Sequence, residues 1–209
     1  MAQTERDAGW RGSAELWLNA AHELLLEQGI DAVKILPLAQ KLNLSRTSFY
    51  WFFTDRDALL TALLSRWRDK NTGNVLKQAN AYAETVVEAV LNVNDLWFDG
   101  NLFDAKLEFA VRSWALQSPE VLKAVQEADS TRIAALTGVF TRFGIDAHLA
   151  DVRARTMYLT QIGYISMQTR EDLPLRLSRI PQYVEVFTGR AAETRELDRF
   201  YARHAHGKM

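Results

Sequence analysis

The sequence predicts an all-α fold: an N-terminal three-helix head containing a helix-turn-helix, joined by a connector helix to a larger helical body. Three observations support this. Apolar residues recur at spacings of three, four and seven along nearly the whole chain, and period-two alternation is never sustained. Only four prolines and ten glycines interrupt the 209 residues, so long helices are permitted. A hydrophobic share of 48% against 24% charged residues is the balance of a folded chain.

The first helix opens at Ser13, a suitable N-cap, with Glu15 at the positive end of the dipole. Leu16, Trp17, Ala20, Ala21, Leu24 and Leu25 form its apolar stripe, and Gly29 ends it. A short second helix carries Ile35, Leu38, Ala39 and Leu42, with Pro37 tolerated in the first turn, where amides lack partners anyway. A break at Asn43 precedes a third short helix opening at Ser45, and a fourth begins near Thr54 or Asp55 and runs past Trp67. Further helices are expected at about 81–94, 101–117, 119–143, 146–170, 173–188 and 190–203. Ser118-Pro119-Glu120 and Gly144 with Asp146 mark two of these boundaries, and Asn92 to Asn101 reads as a loop with an apolar centre, Leu96-Trp97-Phe98. The chain is thereby divided into a head, 1–54, and a body, 55–209, with no Pro/Gly/Ser linker between them.

The head has the length and pattern of a helix-turn-helix, in which one helix crosses the DNA backbone and the next enters the major groove. Ile35–Lys41, a turn around Leu42-Asn43-Leu44, and Ser45–Phe52 fit those parts, with Leu38, Ala39, Leu42, Leu44 and Phe49 holding the pair on the first helix. Ser45 caps the recognition helix, and Arg46, Thr47 and Ser48 face outward as donors to bases or phosphates. Tyr50 and Trp51 are polar-tipped aromatics able to reach phosphates. Five consecutive aromatics, Phe49 to Phe53, cannot all face inward, because successive residues fan out by about 100°. The net charge of −1 and a balanced head argue against tight non-specific binding, although affinity depends on where cations sit rather than on their sum.

Ser13 to Trp67 resembles the N-terminal domain of the tetracycline-repressor (TetR) family of bacterial regulators. The resemblance rests on Ala20-Ala21, Leu24-Leu25, Glu27-Gln28-Gly29, Leu38-Ala39, Leu44-Ser45, Ser48 to Phe53, and Asp55-Arg56-Asp57 before Leu59-Leu60. Three positions depart from the family pattern: Phe52 stands where histidine is common, Asn43 replaces the turn glycine, and Val33-Lys34 replaces the hydroxyl residue opening the second helix. The resemblance implies a homodimer on double-stranded operator DNA, with Lys34, Tyr50, Trp51 and Arg56 holding phosphates. It also implies a body that binds an apolar or amphipathic small-molecule effector and dimerises through its last two long helices, about 146–170 and 173–188. Trp67, Trp97, Phe103, Trp114, Tyr158 and Tyr164 are its candidate pocket residues, since connector and central helices surround the pocket in similar proteins. The stripe Leu149, Val152, Thr156, Leu159, Gly163 suits a dimer seam, and core packing explains it equally well.

Other classes find less support. There is no phosphate-cradling glycine loop, His-Glu-x-x-His or nucleophile elbow, so no catalytic residue, metal or cofactor is expected. The absence of cysteine removes disulfides and thiolate chemistry and suits a cytoplasmic location, and no window is apolar enough for a membrane span. His204 and His206 read as part of a frayed tail. Glu108 with Arg112, and Asp129 with Arg132, sit at spacings that favour surface ion pairs, with a buried network as the other possibility. A helical binding protein or enzyme that has lost DNA binding, and a regulator acting only through a partner protein, are the rival readings.

Overall fold

The structure is a computed structural model and describes residues 12–204. Among these, α-helices dominate and no strand occurs. The head comprises α1 (Ala14–Gln28), a 3-10 turn at Ile30–Ala32, α2 (Ile35–Leu42) and α3 (Arg46–Phe49). Ser13 caps α1 by accepting from the Leu16 amide, and Gly29, at φ 80°, ends it by donating to Leu25. Lys34 occupies the N-cap of α2 without a side-chain cap. Asn43 closes α2 in the left-handed region at φ 52°, the backbone state that the turn requires and that asparagine tolerates.

The connector is α4 (Arg56–Trp67), capped by Asp55, followed by a π-helical turn (Arg68–Thr72) and α5 (Gly73–Ala79). The wider turn carries Asn71 and Thr72 into the interior. The body continues with α6 (Val86–Phe98), α7 (Ala105–Ala115), α8 (Pro119–Thr141), α9 (Ala147–Ser166), α10 (Leu173–Ser178), α11 (Ile180–Thr188) and α12 (Thr194–His204). Ser118 and Asp146 cap α8 and α9, where the sequence placed those boundaries.

Two expectations need correction. Leu96-Trp97-Phe98 lies on α6, not in a loop. The asparagines that weaken the local helix signal are satisfied: Asn94 donates to the Val90 carbonyl at 2.9 Å and Asn92 to Tyr82 at 3.0 Å. Burial of Leu96 and Trp97 then overrides propensity. The segment 173–188 forms two helices rather than one, broken at Arg179 because Pro181 can only occupy a first turn.

Apolar packing forms two cores. One, around Trp17, Leu38, Phe49, Leu63 and Trp67, continues without a break into Leu107, Val111, Trp114 and Val125 of the body. The other joins α5, α6, the second half of α8, α9, α11 and Phe200 of α12. Packing therefore does not divide at residue 55: the head shares its core with α7 and the first half of α8.

Candidate nucleic-acid interface and body cavity

The helix-turn-helix is held from beneath. Phe49 is fully buried, edge-on to Trp17 with ring centroids 5.3 Å apart and stacked on Phe53 at 5.5 Å. Leu38 and Ala39 are buried beside it. Ser45 caps α3 by accepting from the Ser48 amide at 3.2 Å. The α-helical part of the predicted recognition helix is only one turn, Arg46–Phe49. Tyr50 to Phe52 continue as a tight turn, with Phe52 donating to the Phe49 carbonyl at 3.0 Å.

Lys34, Ser45, Arg46, Thr47, Tyr50 and Trp51 all lie exposed on the head, Trp51 at 61%. Two predicted DNA contacts are placed otherwise. Ser48 is buried, its hydroxyl 2.9 Å from that of Ser45, so it braces the cap instead of facing outward. Arg56 turns inward, donating through Nε to the Val33 carbonyl at 2.6 Å and through Nη2 to Ile30 at 3.0 Å. Those carbonyls belong to the 3-10 turn and to its C-cap residue; Ile30 also accepts from the Val33 amide, and the guanidinium adds a tie that pins the turn to the start of α4.

Behind the head, a polar network occupies the shared core. Glu108, fully buried, accepts from Trp67 Nε1 (2.6 Å), Asn71 Nδ2 (2.9 Å), Arg132 Nη1 (2.8 Å) and Arg112 Nε (3.0 Å). Arg112 also grips Asp129, and the Tyr158 hydroxyl donates to Asp129 at 2.6 Å. Arg132 donates through Nε to Thr72 and lies over the Trp67 ring. Burial pushes the Glu108 carboxyl up, but Arg132 and Arg112 outweigh it and hold it below the ordinary carboxylate value. Burial also raises the Tyr158 phenol well above its usual value, keeping it a donor. These charges form a buried network tying α4 and the π-turn to α7, α8 and α9, not surface pairs. A second tie, His22 to Asp104 at 3.2 Å, joins α1 to the N-cap of α7.

The body holds a small inner cavity and an open cleft of about 670 Å³. Trp97 and Tyr164 line both. Trp67, Phe103, Trp114 and Tyr158 line neither: all four are buried, Trp67 and Tyr158 as members of the Glu108 network. Both are core, because their polar tips are consumed by buried partners. The lining residues that sequence reasoning missed include Phe98, Gln161, Arg176, Tyr183 and Phe187. None of them carries a sequence signal that separates lining from core. The cleft is also walled by Glu23, Leu26 and Glu27 of α1, so it lies between head and body.

Leu149, Val152, Thr156 and Leu159 are exposed along one face of α9, and Val186 of α11 is 69% exposed, so the stripe on α9 is not explained by packing within the chain. His204 is not frayed: its Nε2 lies 2.8 Å from Asp95 and its ring packs on Phe200. His206 lies outside the described residues. Among the described residues no helix is long and apolar enough to cross a membrane.

Residues 18–63 match the family model described as bacterial regulatory proteins, tetR family. Comparison with curated proteins found no match in sequence. The fold is similar to that of Salmonella enterica GusR, with TM-score 0.62 and 16% identity over 85% of this chain and 95% of that one. It is also similar to the fatty acid degradation regulator FadR from Bacillus halodurans, with TM-score 0.61 and 15% identity over 88% and 98%. A candidate TetR-family transcriptional regulator from Mesorhizobium loti gives TM-score 0.60 and 19% identity over 84% and 95%.

Proposed function

We propose, from the premise that the N-terminal domain is of the TetR family and the chain has the fold of such regulators, that this protein is a ligand-responsive repressor. It binds palindromic operator DNA as a cytoplasmic homodimer. The carrying observation is the exposed set Arg46, Thr47, Tyr50 and Trp51, presented by a capped turn of helix whose other side is locked on Trp17 and Leu38. Arg46 and Thr47 read base edges, while Lys34, Tyr50 and Trp51 hold phosphates. The exposed apolar face of α9 with Val186 of α11 supports pairing of two copies, which sets two heads one DNA turn apart.

An effector in the cleft touches α1 directly and α7 beside it. Lys41 of α2 pairs with Glu23 at 3.0 Å, and Glu108 of α7 holds Trp67 of α4, so displacement of α1 or α7 reaches the helix-turn-helix by two routes. The effector must prefer the arrangement that DNA disfavours, and the coupling is reciprocal. An electrophoretic shift with DNA from upstream of the protein's own coding sequence tests the reading. Specific, salt-sensitive binding is expected, and binding indifferent to sequence, or none, refutes it.

A further inference from the structure

Trp97, Gln161, Tyr164 and Arg176 line both the inner cavity and the cleft, so Arg176 of α10 stands where the two meet. Its guanidinium carbon lies 4.9 Å from the Phe98 ring centroid and 5.7 Å from that of Tyr164. Among the described residues no carboxylate lies within ion-pair distance of it. The neighbouring acid, Glu171, is already committed to Arg179, with contacts of 2.7 and 2.8 Å. Burial lowers the Arg176 pKa, with Tyr164 and Glu171 opposing only in part, yet a guanidinium does not give up its proton in proteins. An unpaired cation is thus kept beside apolar walls, and an incoming anion would relieve that desolvation.

The neighbouring hydroxyls point the same way. Tyr164 and Tyr183 lie 3.0 Å apart, and Arg179 donates to Tyr164. One hydroxyl proton spans the pair, which leaves the other free for a further acceptor. The inner cavity between Phe98, Met157, Ile180 and Phe187 measures about 40 Å³, too little for an alkyl chain. The cleft of about 670 Å³ on the other side of Arg176 has apolar walls in Leu26, Trp97, Phe109 and Ile165. Lys106 and Arg170 add positive charge to the cleft, while the acids on its far wall, Glu23 and Glu27, already face Lys41 at 3.0 and 3.9 Å.

We propose that the body binds a monocarboxylate with an apolar chain or ring. Its carboxylate is held by the Arg176 fork and a tyrosine hydroxyl, and its apolar part lies in the cleft among Leu26, Trp97, Phe109 and Ile165. The planar, two-pronged donor geometry of arginine matches a carboxylate, and aromatic packing on Phe98 and Tyr164 fixes its orientation. This rests on the reading of the body as an effector chamber.

The test is calorimetric titration of the full chain with octanoate and with octan-1-ol, which shares the chain but not the charge. Octanoate should bind at least ten-fold tighter than octan-1-ol. Arg176→Gln should weaken octanoate at least ten-fold while leaving octan-1-ol unchanged, which also establishes that the variant is folded. Arg176→Lys should fall between. Octan-1-ol binding as tightly as octanoate, or Arg176→Gln weakening both alike, would overturn the carboxylate assignment and leave the chamber standing. Binding of neither ligand to the unaltered chain would overturn both.

Discussion

Glu108→Gln probes the link between head and body. The glutamate is fully buried, with one oxygen facing Arg132 and Arg112 and the other facing Trp67 and Asn71. Glutamine keeps the shape but places an NH2 where an oxygen was, so one pair of donors meets another donor. It also removes the charge that, with Asp129, balances the buried Arg132 and the partly buried Arg112. Removing one partner of such a buried pair costs about 3–5 kcal/mol. At roughly 2–4 °C per kcal/mol for a chain of this size, the melting temperature at pH 7 should drop by about 6–20 °C. The folded pKa of Glu108 is depressed, so its contribution is fully present above the unfolded value of about 4.3 and is lost as pH falls through the lower folded value. The gap between the two proteins should therefore narrow in acid. Scanning fluorimetry at pH 7 and below pH 4, with Arg132→Met and the double variant completing a cycle, measures this. A drop under about 2 °C, or additivity of the two substitutions, would refute the claim that the charges act as one unit.

Three further outcomes are expected. Arg56→Met should destabilise the chain by about 1.5–3 kcal/mol, because two carbonyls lose a charged donor, while the salt dependence of DNA binding stays unchanged. A salt slope reduced by about one would instead restore Arg56 as a phosphate contact. Arg46→Ala should alter operator preference in a binding-site selection, whereas Lys34→Ala should weaken all sites alike and flatten the salt slope; the same behaviour in both would break that division of labour. Leu159→Glu, on the exposed face of α9, should give monomers in sedimentation velocity with little change in melting, and a dimer that persists would place the interface elsewhere.

Much of the fold was legible because helix signals are local. Ser13, Asp55, Ser118 and Asp146 each cap a helix within three residues of themselves, and the left-handed Asn43 follows from a residue type that tolerates it. The helix-turn-helix occupies a short stretch, so its spacing, its buried Phe49 and its exposed Arg46 and Thr47 could be read from one periodicity. Arg56 and Ser48 escaped that reading, since their direction depends on which carbonyl or hydroxyl lies within reach, not on period.

The body was different. An apolar stripe says that a face is covered, or asks to be, but not by what. Leu149, Val152 and Leu159 were equally consistent with core and seam until the fold left them exposed. Trp67 and Trp97 look alike in sequence, yet one donates to Glu108 across 41 positions and the other lines a cavity. Arg132 meets Thr72 across 60 positions, and His204 meets Asp95 across 109, so charges expected at the surface and a histidine expected to fray are held by distant partners. By itself, then, the sequence determined helices, caps and the exposed turn of the helix-turn-helix, whose partners lie within one or two turns of chain. Tertiary structure alone decided which aromatics are core, which charges are buried and where Arg176 stands unpaired. Burial is a property of residues that distant segments bring together, and it leaves no period behind.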